Sequence, residues 1–283
     1  MNYGLLDAHN LAWKLHLVES GLMQRGQLQT YEQERRQAAG RLIEFDATYA
    51  GLFSSHDPSD HADAEFVRIY KQNAHFASGY GVEYPPNDMT WHTTDYAKSP
   101  SLQPGHSLPP MDVKRVIDAW ESSLEQEIPF NGCFRVHIFA GQQSQSQQQA
   151  FQDLATHLAD SSSVFTRFQR RGGPDNSYES RHSPCSSLFT FALIFNVPRA
   201  SVEIRNLPSY FLPYRYLIYS DDARHTRDHG AAHRKMGFDP AEGGVVVARP
   251  DGYVGCIVRL VQGRYTAHAL EEYFGDFVPA KSD

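Results

Sequence analysis

The chain has 283 residues, 41% hydrophobic and 21% charged, with a formal net charge of −7. That size admits one large domain or two ordinary ones with a sizeable core. The acidic balance excludes a general phosphate-backbone binder, so no nucleic-acid partner is expected, and no run nears the roughly 20 apolar residues of a membrane span.

Residues 5–20 read as a helix, because Leu5, Ala8, Leu11, Ala12, Leu15 and Val18 recur at helical spacing before Gly21. A second helix is predicted from about Leu28 to about Phe53, with an apolar stripe of Tyr31, Ala38, Leu42, Phe45, Tyr49 and Leu52. At 1.5 Å per residue it spans roughly 40 Å. Ser59 could cap a third helix, about Ala62 to Phe76. Glycines and prolines crowd residues 78–110, and a domain boundary is expected near residue 98, dividing the chain into 1–98 and 99–283.

Beyond the boundary, strands and helices alternate. Phe134 to Phe139 reads as a strand ended by Ala140-Gly141, and the Gln/Ser-rich stretch 142–149 leads into a helix through about Leu158. Strands are predicted for Val164 to Phe168, Ser187 to Val197 and Tyr214 to Tyr219, and a helix for residues 227–236. Val245 to Ala248 and Val254 to Val258 flank Arg249-Pro250-Asp251-Gly252, a hairpin-type turn. A last helix covers about Ala267 to Phe274. The segment 112–124 fits either a helix, through Val113, Val116, Ile117 and Trp120, or a strand. A βα unit followed by two strands, a hairpin and a closing helix is the pattern of a thioredoxin-like α/β layer fold.

Several polar groups invite chemistry. His225, His229 and His233 have the i, i+4, i+8 spacing that places zinc ligands on one helix face, but Gly230 interrupts it and no cysteine or carboxylate partner is evident. No metal site is expected. Cys133, Cys185 and Cys256 form no C-x-x-C pair, which points away from dithiol chemistry and toward a reducing, cytoplasmic setting. No leader-type charged-then-apolar stretch precedes the first helix. Glu32, Glu34, Arg35 and Arg36 form a charge run expected on a solvated face. Asp7, Asn10, Trp13 and Lys14 are expected to lock the first helix onto a sheet.

Three segments carry a family likeness: the opening Met1-Asn2-Tyr3-Gly4-Leu5-Leu6-Asp7-Ala8-His9-Asn10-Leu11-Ala12-Trp13-Lys14-Leu15, followed by Tyr31-Glu32-Gln33-Glu34-Arg35-Arg36; Phe134 to Gly141; and Gly243 to Tyr253. In that order the chain resembles the C-terminal part of the phenol 2-monooxygenase family of group A flavin-dependent aromatic hydroxylases. The resemblance implies an α/β fold, with N-terminal helices from a flavoprotein hydroxylase module followed by a thioredoxin-like α/β domain that contributes to a homodimer. It favours a strand from about Val113 to Ile117. It implies FAD as cofactor, NADPH as co-substrate and a phenolic small molecule as substrate. It assigns flavin contact to Met1 and Asn2, mainly through backbone N–H groups at a helix N-terminus, where a partial positive charge of about +0.5 suits an anionic reduced ring. Asn2 has an ordinary alternative as an N-cap.

No catalytic residue is assigned. There is no G-x-G-x-x-G after a strand, and the family's Gly-Asp flavin segment is missing, so the chain alone is expected to be inactive. The competing expectation is a non-catalytic thioredoxin-like dimerisation or subunit-binding module.

Overall fold

Two largely apolar segments, Phe134–Gly141 (β3, with Arg135 and His137) and Phe189–Phe195 (β4), pair in parallel at the centre of a seven-stranded mixed sheet. In the computed structural model both are buried along their whole length, as expected of strands covered on both faces. The structure describes residues 2–54, 67–69, 71, 73–76, 78–91, 102–127, 130–170, 181–222 and 230–280.

The other strands are β1 (Asp112–Arg115), β2 (Glu121–Ser123), β5 (Ile218–Ser220), β6 (Gly244–Ala248) and β7 (Val254–Arg259), in the order β2-β1-β5-β4-β3-β6-β7. β6 runs antiparallel to both β3 and β7, and β4 runs parallel to β5. The unit β4-β3-β6-β7, two parallel strands followed by an antiparallel hairpin, is the thioredoxin-like layer. β1 and β2 extend it on the far side, each antiparallel to its neighbour.

Helices cover the sheet. α1 is Asn2–Glu19, α2 Gln29–Ser54, α3 Leu124–Glu127, α4 Gln145–Leu158, α5 Val164–Arg167, α6 Ala231–Lys235 and α7 Tyr265–Gly275. Ser144 caps α4 by accepting from the Gln147 N–H, and Ala150, Phe151, Leu154, Ala155 and Leu158 form its buried stripe. An aromatic cluster joins the layers: Phe165 meets Phe189 at 4.9 Å and Phe274 at 5.3 Å, and Phe151 stacks on Phe211 at 4.8 Å.

Some elements differ from expectation. Val164 to Phe168 is not a strand: the Ser163 hydroxyl accepts from the Phe165 N–H and starts the short helix α5, whose Phe165 plugs the core. A five-residue segment with three apolar side chains suits either state, and the cap decides it. Most of Tyr214 to Tyr219 belongs to a 3-10 segment, Ser209–Leu217, containing Pro213, whose ring removes a ladder donor; the strand is confined to β5. In the ambiguous segment β1 is a strand, and Val116 and Ile117 lie in the turn after it. Of the third helix, residues 67–69, 71 and 73–76 are helical, while Ser59 and residues 62–66 lie outside the described residues. Residues 227–229 of the expected 227–236 helix also lie outside them.

α1 has an unexpected orientation. Its buried face is Asn10, Trp13, Lys14 and Leu17, whereas Leu5 and Leu15, from the apolar stripe, are 65% and 40% exposed. Ala8 and Ala12 are exposed as well. A helix apolar on the side away from its own core is one that packs on two sides.

Candidate flavin edge and the buried charged joint

α1 begins at Asn2 and runs for 18 residues. Met1 lies outside the described residues, so the structure places only the backbone at Asn2 of the two expected flavin contacts. The first turn carries no acidic residue of its own, so no carboxylate within that turn offsets the positive end of the helix dipole. That arrangement fits the anionic edge of a flavin ring. The start of α1 is held from below. The Tyr3 hydroxyl donates to the Phe76 carbonyl at 2.9 Å, and Asp7 pairs with Arg35, which also donates to the Tyr84 hydroxyl at 3.1 Å. Burial pushes the Tyr3 phenol up to about 12, so it stays a neutral donor.

The rest of α1 ends in a buried cluster of charges. Glu34 of α2 accepts from both Nη atoms of Arg249, at 2.6 and 2.9 Å, and from Lys14 Nζ at 2.8 Å. Asn10 and Asn87 donate to its two oxygens at 2.8 and 2.9 Å. Arg249 also reaches Asp251 Oδ2 at 2.7 Å and donates to Thr90 Oγ1 at 3.0 Å. Asp251 in turn accepts from Trp13 Nε1 at 3.1 Å. Lys14, Glu34 and Arg249 are wholly buried. Two cations, Lys14 and Arg249, face two anions, Glu34 and Asp251, so the cluster is neutral.

Burial works to raise the Glu34 carboxyl, but Arg249 and Lys14 outweigh it and hold it down at about 2. Burial, reinforced by Arg249, lowers the Lys14 amine. Every charged group here is ion-paired with an opposite charge, so the cluster clamps elements together and presents no free charge to a substrate. It joins α1, α2, the 87–90 turn and the β6–β7 hairpin turn.

The solvated-face expectation fails for half the charge run. Glu32 and Arg36 are an exposed i,i+4 pair, but Glu34 and Arg35 point inward. Arg249-Pro250-Asp251-Gly252 is a tight turn, closed by Gly252 N–H donating to the Arg249 carbonyl at 2.9 Å with Gly252 at φ 82°. It is also the core of the joint. A signal was present: Arg249 directly follows the fully buried run of β6, where an arginine must find a buried counter-charge. Of the α1 residues, Asn10, Trp13 and Lys14 bind the joint, and Trp13 also meets Phe134 of β3 edge-on at 5.8 Å. Asp7 instead pairs with α2.

His233 is buried, with Nδ1 2.7 Å from Asp221 Oδ2 and Nε2 accepting from the Gly141 N–H at 3.2 Å. Both ring nitrogens are used, and His225 and His229 lie outside the described residues. Among the described residues no three His, Cys, Asp or Glu side chains cluster to hold a metal, and no helix is long and apolar enough to cross a membrane. All three cysteines are free thiols.

The fold and joint define a thioredoxin-like α/β layer clamped to two N-terminal helices. The family model for the phenol hydroxylase C-terminal dimerisation domain matches residues 82–282, and that for an FAD binding domain matches residues 1–46. The chain belongs to the phenol hydroxylase dimerisation-domain family. It is 28% identical to phenol 2-monooxygenase fsqG of Aspergillus fumigatus over 97% of its length and 44% of the relative's. It is 29% identical to 3-hydroxybenzoate 4-monooxygenase of Comamonas testosteroni, over 99% and 44%. The chain thus spans less than half of these relatives. In fold it resembles the flavin-dependent monooxygenase PieE, solved with FAD and substrate, at TM-score 0.54 and 16% identity, over 97% of this chain and 43% of that one. Lys14 and Glu34 fall in the FAD-type match, and Asn87, Thr90, Arg249 and Asp251 in the dimerisation-type match, so the charged joint is the seam between them.

Proposed function

We propose that the chain is the C-terminal portion of an FAD- and NADPH-dependent monooxygenase that hydroxylates a phenolic ring, and that alone it lacks this activity. The carrying observation is α1, which presents a first turn without acidic residues and an outward apolar face of Leu5, Ala8, Ala12 and Leu15. Such a face suits further packing against the remainder of a flavin module. When bound, the flavin would supply the oxygen-activating redox chemistry. This chain's part would be to hold one edge of the ring: Met1 and Asn2 would offer backbone N–H groups to its negative end, and Tyr3, Asp7 and Arg35 keep the first turns of α1 in place. We place the division between helical and thioredoxin-like units near residue 98, the assembly as a homodimer and the protein in the cytoplasm.

Titration with FAD, followed by flavin fluorescence, tests the reading. Binding weaker than about 1 mM and no phenol-dependent NADPH oxidation are expected, because a single edge contributes a small share of a cofactor's binding energy. Tight FAD binding by the chain alone would overturn it. The second reading, a non-catalytic dimerisation or subunit-binding module, is favoured by the completeness of the thioredoxin-like layer and its core. Adding back a separately produced FAD module distinguishes the two: recovery of hydroxylation supports the enzyme portion, and binding without turnover supports the module.

A further inference from the structure

We infer that the two copies of the homodimer meet through the β1–β2 hairpin, the Trp120 indole of each entering the hollow beside Trp120 on the other; this rests on the dimeric reading above. The hairpin closes the sheet edge opposite β7. Its turn carries Ala119 at φ 62°, the one non-glycine residue with positive φ among the described residues. An L-residue there is strained relative to ordinary backbone, and the surrounding bonds must over-determine it. They do so from both sides. Arg115 N–H donates to the Trp120 carbonyl at 2.8 Å, and Trp120 N–H donates to Asp118 Oδ1 at 3.1 Å. Arg199 Nη1 donates to the Val116 carbonyl at 2.6 Å. The bracing fixes the backbone at Trp120, whose indole is 61% exposed.

Beside it lies a hollow of about 560 Å³, with Lys114, Asp118, Glu121, Arg199, Ala200 and Asp222 on its walls. A two-fold interface sets one patch against itself, so a rim of one sign would repel. This rim carries Lys114 and Arg199 among Asp118, Glu121 and Asp222, and is self-complementary. An exposed aromatic knob beside a charged hollow is the arrangement of an interface anchor and its socket. Strand addition at this edge is disfavoured, since β2 has three residues and the Lys114–Glu121 pair lies across the β1–β2 ladder. The rest of a flavin module would meet α1, which packs against the start of β3 and the β6–β7 turn. The other prominent exposed ring of this domain, Phe130, belongs to that side, with His9 of α1 at 5.0 Å.

Sedimentation equilibrium on the 283-residue chain tests the assignment. Trp120→Glu and Ala200→Arg, one altering the knob and one filling the socket, are each expected to raise the dimer dissociation constant by about 30-fold or more. Phe130→Glu is expected to change it less than about 3-fold. Thermal melts check folding, and Ala200→Arg, at an exposed position, carries the test if Trp120→Glu folds poorly. A wild-type dimer unaffected by both hairpin variants, or broken by Phe130→Glu alone, overturns this interface and leaves the dimer standing. A wild-type chain that stays monomeric at every concentration refutes the dimer itself.

Discussion

His137 is the group whose titration the fold most strongly opposes. It lies in the middle of β3, paired in register with Ala192 and Val246, and is fully buried. Burial, with the positive charge of Arg135 on the same strand, lowers its imidazole from 6.5 to about 3. The unfolded chain therefore binds this proton more readily than the folded one. Stability is complete above the unfolded value and falls as pH drops from about 6.5 toward 3. Each pH unit in that window removes about 1.4 kcal/mol, so lowering pH from 7 to 4 removes about 3 kcal/mol through this ring. Carboxylates titrate in the same range, and the comparison that isolates the ring is wild type against His137→Leu. Urea unfolding at pH 7 and pH 4 should show the variant gaining about 3 kcal/mol relative to wild type at the lower pH. A wild-type-minus-variant difference equal at the two pH values, within about 0.5 kcal/mol, would falsify a buried neutral ring at this position.

Glu34→Ala leaves Lys14 and Arg249 buried against Asp251 as their remaining carboxylate, and should cost about 3–5 kcal/mol in denaturant unfolding. Glu32→Ala, which removes the exposed partner of Arg36, should cost less than about 1 kcal/mol; equal losses would show that Glu34 is solvated. Leu5→Gln with Leu15→Gln should leave the melting temperature of the isolated chain nearly unchanged while reducing its tendency to aggregate. A marked loss of stability would mean that this face already has a partner within the chain.

The parts of the fold legible in sequence are those whose environment is uniform. β3, β4 and β6 are buried on both faces, so they read as largely apolar runs, interrupted only by Arg135 and His137 in β3 and Thr190 in β4, and α4 shows its stripe and its serine cap directly. Where two local solutions compete within five residues, as at Val164 to Phe168, a single hydroxyl tips the balance and periodicity has nothing to say. The joint is harder still. Glu34 and Arg249 are 215 positions apart, and each has a closer charged neighbour that suggests an ordinary surface pair. Only folding brings them together, and no spacing rule encodes that.

The joint also explains why α1 is turned with its leucines outward. A helix with apolar residues on two sides could bury either one against the sheet. Burying Asn10 and Lys14 requires that both find partners, and both do so on Glu34, which is itself held by Arg249 from the hairpin turn. Reversing the helix would bring Leu5 and Leu15 inward at the expense of leaving Glu34 and Arg249 with fewer partners in a dry interior. Losing a partner there costs about 3–5 kcal/mol, and reversal would also expose Trp13 and Leu17; together these outweigh the roughly 1.5–3 kcal/mol gained at each of the two leucines. The ionic seam thus dictates which face of α1 points outward. A module supplied in trans would meet a wall already in its final orientation, and its binding should require little rearrangement of this chain.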